Sequence, residues 1–221
     1  MPTRRIFAAA LLLATVLLLP LRIALALTGD ALAARSVEGT VWGGRLLGAS
    51  LGGQPLGDLD AGMSPFALFL GKARVKVDGA LLHGAVIGSF GGHGGDIGVL
   101  NLPLSRAFGP IRLTSMDVAD AHVRFRGNDC AEADGRVGLQ LKSFLGEQHL
   151  SGTLRCSGAV LAVDLLSQSA MERLSLRFPD AGRYEATLIV RASDTGQASG
   201  LAAAGFRETP VGHVLKFSGA F

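Results

Sequence analysis

Tryptophan and tyrosine are nearly missing from this chain, with one of each in 221 residues. That scarcity excludes an outer-membrane barrel, because such a barrel needs an aromatic girdle at both interfaces. The terminal Phe221 and the alternating strands are what bring that reading to mind. Charge is also sparse, with 18% charged residues against roughly 25% in an average soluble domain. Apolar residues make up 48%, so neither disorder nor a coiled coil fits. The chain carries a formal +3, but Arg4, Arg5 and Arg22 lie in an N-terminal stretch without acids. The remaining 18 basic residues balance the 18 acidic ones. A neutral remainder argues against nucleic acid as a partner, which calls for a basic patch on the folded domain. The sequence also lacks a G-x-S-x-G elbow, an H-E-x-x-H helix and an S-x-x-K pair. His83, His93, His122, His149 and His213 are scattered, and none pairs with another ligand type at helical spacing. His122 and Asp120 share a strand face, which a solvated face explains more simply than a metal. We therefore read a non-enzyme, with no catalytic residue, metal or cofactor implied.

What is present begins with an apolar N-terminus. Arg4 and Arg5 precede an uncharged run from Ile6 to Leu19, and after Pro20, Leu21 and Arg22 the chain continues apolar to Leu27. One reading is a transmembrane anchor over residues 6–27 with a cytoplasmic tail of residues 1–5, since about 20 apolar residues span the ~30 Å hydrocarbon core. The other is a signal peptide, with Ala24-Leu25-Ala26 as the cleavage site. Both place residues 28–221 outside the cytoplasm. A second long apolar run is absent, which excludes a polytopic transporter. Cys130 and Cys156 both lie in the exported part, in neither C-x-x-C nor zinc-like spacing. An even pair in an oxidising compartment most simply forms one disulfide, closing a loop worth about 3 to 3.5 kcal/mol. The alternative is two buried free thiols.

Period-2 alternation recurs from Ala73 to the C-terminus: Val75 and Val77 against Arg74 and Lys76, Leu139 and Leu141 against Gln140 and Lys142, Leu174 and Leu176 against Arg173 and Ser175. One apolar and one solvated face is the mark of antiparallel sheet. Turn signals fall at Gly57-Asp58, Asp78-Gly79, Gly91-Gly92, Asp134-Gly135 and Asp180-Ala181-Gly182. We expect an all-β domain of roughly ten to twelve short strands, a curved, meander-like antiparallel sheet, open or closed into a sandwich or half-barrel. The apolar phase slips near Ala119, which predicts a bulge. Asp194 to Phe206 is the one helix candidate, ended by Gly205. Gly91-Gly92-His93-Gly94-Gly95 lacks the Lys and Ser or Thr of a phosphate loop and reads as a hairpin loop. Val37-Glu38-Gly39-Thr40-Val41-Trp42-Gly43-Gly44-Arg45-Leu46 reads as a strand entering a tight glycine turn covered by the only indole. Val37, Gly39, Thr40, Trp42 and Gly43 are also the candidate partner contact beside the membrane.

At this motif the chain resembles the type II secretion system protein N family. The resemblance continues through Cys130-Ala131-x-Ala133-x-Gly135, Leu150-Ser151-Gly152-x-Leu154-x-Cys156-x-Gly158, Leu165-x-Ser167, Gly182-Arg183-Tyr184 and Ala203-Ala204-Gly205-Phe206. Residues 51–110 match in general character alone. The resemblance implies a bitopic inner-membrane accessory protein of the type II secretion machinery, with a periplasmic β domain that contacts other secretion proteins, and it favours an uncleaved anchor. The alternative is an anchored β-groove protein whose long apolar face carries an acyl lipid.

Overall fold

The computed structural model describes residues 32–51, 53–65, 71–89, 91–108, 111–143, 146–180 and 182–220, with Phe7, Leu18, Pro20 and Leu21. The expected anchor over residues 6–27 lies almost wholly outside the described residues. Among those described, no helix is long and apolar enough to cross a membrane.

The chain divides into two compact units, Met1–Phe90 and Gly91–Phe221. In the first, β1 (Leu32–Ala33) and β2 (Ser36–Thr40) share one side of β3 (Gly43–Leu51). Then β4 (Gln54–Met63), β5 (Lys72–Gly79) and β6 (Leu82–Ser89) follow, each antiparallel to its predecessor. Leu46, Leu56 and Leu59 are the largest fully buried side chains among its described residues.

In the second unit, β7 (Gly92–Phe108), β8 (Ile111–Arg126), β9 (Asp129–Ser143), β10 (Gly146–Ser157), β11 (Val160–Ser167), β12 (Glu172–Phe178) and β13 (Arg183–Val190) pair in sequence order. Next comes α1 (Thr195–Ala203), then β14 (Arg207–Thr209) and β15 (Gly212–Ala220). β15 lies between β13 and β14. Leu139 pairs with Leu150, and two residues off that register Leu165 pairs with Leu174, which pairs with Leu188; all five are at most 5% exposed. The alternation thus resolves as expected: a row of leucines on one face and charged residues on the other.

Strand count and length differ from expectation. The described residues contain fifteen strands, and β7 to β9 run 15 to 17 residues. Two of the expected turns lie inside strands. Gly57-Asp58 sits within β4, where the register shifts against β3 and Gly57 has φ +83°. Asp134-Gly135 sits within β9, opposite the slip in β8. A positive-φ glycine serves a bulge as well as a turn, so the strand bends and continues. The expected bulge near Ala119 falls at Asp120-Ala121: β8 is one residue longer than β9 between the Ala119–Arg136 and His122–Asp134 pairs. Asp120 takes φ +51°. A Cβ on Gly135 would stand 2.5 Å from Ala121 Cα, so this rung closes only around glycine.

The expected loop Gly91–Gly95 is strand from Gly92 onward. Cβ atoms on Gly92 and Gly94 would stand 2.2 and 2.1 Å from the carbonyl oxygens of Phe125 and Val123. These glycines let β7 approach β8, and His93 stacks on Phe125 at 5.2 Å. The helix forms where its end signals fall. Asp194 accepts from the Gln197 N–H, and Gln197 reaches back to the Ser193 N–H. Gly205 at φ +90° and Phe206 donate to Ala202 and Leu201, a Schellman closure.

Candidate partner-contact sites

The motif Val37 to Leu46 forms the β2–β3 hairpin. Thr40 pairs with Gly43, so the loop is Val41-Trp42 and the two glycines open β3 rather than make the turn. Neither loop residue has positive φ; the left-handed position is Gly39, at +86°. A Cβ there would lie 2.7 Å from the Gly43 carbonyl oxygen. Trp42 is half-buried and Val41 buried, and the Val41 carbonyl accepts from the Met63 N–H at 2.8 Å. A Cβ on Gly62 would meet the Trp42 carbonyl oxygen at 2.9 Å. Val37 is half-buried, Gly43 is exposed, and nothing stands within 4 Å of its missing side chain.

Beside the hairpin a groove of about 680 Å³ opens over Gly43 and Gly62, bordered by Glu38, Arg45, Asp60 and Lys76. Pairing sets Glu38, Arg45, Asp60, Asp78 and His83 on one rung across five strands. Arg45 Nε donates to Asp60 at 2.9 Å, and His83 Nδ1 lies 2.8 Å from Asp78. The Asp60 hydrogen bond and charge raise the Arg45 guanidinium further above its ordinary value. Facing carboxylates at Asp60 and Asp78 repel, and the Arg45 guanidinium beside Asp60 offsets that. No sequence spacing signals this row, because its members are placed by register alone.

A second polar cluster joins β7, β8 and β9. Asp96 Oδ1 accepts from His122 Nδ1 at 2.8 Å and from an Arg124 terminal nitrogen at 2.9 Å. The Glu132 carboxylate lies 3.8 Å from His122 Nε2. Burial pushes the Asp96 carboxyl up, but the Arg124 and His122 hydrogen bonds and charges outweigh it and hold it below the usual range. Asp120 does not join His122 here. The left-handed residue turns its carboxylate to Arg136 instead. Among the described residues, no group of three or more His, Cys, Asp or Glu side chains is arranged to hold a metal ion.

Cys130 and Cys156 form a disulfide, with Cα atoms 5.6 Å apart. The β9–β10 register ends at Arg136–Thr153. The bond therefore ties the Cys130 end of β9, beyond the rung opposite the β8 bulge, back to β10. Cys130 is buried and Cys156 half-buried.

The family model for type II secretion system protein N matches residues 30–214, a span that holds the motif hairpin, both bulges, the disulfide and α1. The chain belongs to the type II secretion system protein N family. It is thus a component of type II protein secretion. No curated protein and no solved structure matches it.

Proposed function

We propose that this protein N family member is a non-enzymatic accessory protein of type II secretion. The apolar run upstream of Pro20 holds it in the inner membrane, and its β units contact other secretion proteins in the periplasm. The observation that carries the contact is the outer side of β15. Along residues 213–220 this strand pairs with β13, whereas β14 covers it only from Gly212 to Val214. Past Lys216, Ser218 and Ala220 no further strand follows among the described residues. A sheet edge of this kind accepts an added strand through main-chain hydrogen bonds. At its start lies a groove of about 540 Å³ lined by Arg207, Thr209, Leu215 and Lys216.

Co-purification tests the reading. Tagged full-length chain, extracted with mild detergent from carbonate-washed membranes, is expected to bring down other type II secretion proteins. A chain recovered in the soluble fraction and free of secretion proteins would contradict it.

A further inference from the structure

The β2–β3 hairpin holds a piece of chain that precedes the sheet. Pro20 makes an isolated antiparallel bridge with Thr40, and the adjoining Leu21 is only 7% exposed. Leu21 fits because a side chain is missing opposite it. A Cβ on Gly44 would stand 2.8 Å from Leu21 Cδ2 and 2.4 Å from the Glu38 carbonyl oxygen. Gly44 therefore lets β2 close on β3 and leaves a seat for the leucine. Burial is not general to this apolar run, since Leu18 is 71% exposed.

The geometry points to a retained clamp: Pro20 and Leu21 are part of the folded first unit, seated on Thr40 and Gly44, and the chain upstream of Ala26 stays attached in the working protein. The occupant of the seat is the chain's own segment. Proline has no N–H to extend a ladder, so the pairing stays a single bridge and the leucine supplies the apolar contact. Cleavage after Ala26 would remove both residues and expose the seat. The clamp fixes the glycine-floored groove at the end of the apolar segment, whichever secretion protein is the partner, so it stands apart from the proposed partner contact.

The test uses full-length chain in membranes carrying Pro20→Cys and Thr40→Cys. Antiparallel partners stand about 4.5–5.5 Å apart at Cα, within disulfide reach. After mild oxidation, non-reduced peptide mapping is expected to recover the two peptides joined, beside the Cys130–Cys156 pair. In detergent, Leu21→Ala is expected to lower Tm by roughly 5 °C or more, while Leu18→Ala moves it by about 1 °C or less. A mature chain without residues 20 and 21 would overturn the clamp, and a soluble one would overturn the anchoring with it. Membrane-bound chain with both engineered thiols free, and equal Tm shifts for the two leucine variants, would reject the clamp and leave the anchoring intact.

Discussion

Asp164 is held by three neighbours across the solvated face of β10, β11 and β12. Arg155 Nε donates at 3.0 Å and Ser175 Oγ at 2.7 Å, with Arg173 adding charge. The Arg155 and Ser175 hydrogen bonds outweigh burial and hold the carboxyl below its ordinary value. Asp96 is lowered in the same sense. A depressed carboxyl binds its proton later in the folded state than in the unfolded one. The stability it contributes is thus present above the unfolded value and is lost as pH falls through the folded one. Both groups remain part-exposed, so solvent screening keeps each contribution small. We expect Asp164→Asn to reduce stability at neutral pH and to flatten the acid decline below about pH 5. Urea titrations of both proteins at neutral and acid pH check this; parallel declines would contradict it. The disulfide acts on the unfolded chain. With its cysteines 26 positions apart in sequence, loop closure contributes about 3.5 kcal/mol on the chain-entropy model.

Among the elements, the β2–β3 hairpin carries the most specific sequence pattern, and its indole is half-buried. Full burial would make Trp42→Ala cost about 3–5 kcal/mol, so half-burial places the loss near 2 kcal/mol. Chemical denaturation is expected to find that loss while co-purification of secretion proteins persists; unchanged stability with lost co-purification would make Trp42 a partner anchor instead. The alternation around Leu139, Leu150, Leu165 and Leu174 made the strands legible, because burial of one face imposes period 2. Strand ends were less legible. Gly57, Gly92, Gly94 and Gly135 resemble turn glycines in sequence, yet they serve bulges and close strand approach. Which use a glycine has depends on the neighbouring strand, and that information is non-local. The Asp96–His122–Arg124–Glu132 cluster was hidden for the same reason. His122 and Arg124 were visible as one face, but Asp96 and Glu132 arrive from other strands, and the Asp120 bulge removes the acid that sequence placed beside them. The helix was fully legible, since Asp194 and Gly205 act within a few residues of themselves.

At the scale of the whole molecule, each unit is an antiparallel meander in which nearly every strand pairs with the next in sequence. In the second unit α1 and β14 interrupt that order, and the interruption leaves most of β15 with β13 on one side and a three-residue strand near its start on the other. Nature commonly blunts such edges or uses them for recognition. Family membership makes the chain a type II secretion component, and the edge is where we place its partner. A photo-crosslinking residue at Ser218, exposed on that strand, tests this most directly when the full-length chain is irradiated in membranes containing the secretion proteins. The same probe at Leu166, 40% exposed on β11, is the control. The account predicts an adduct between Ser218 and another type II secretion protein, and none of comparable yield from Leu166. Equal yields at the two positions, or an adduct from Leu166 alone, would contradict it.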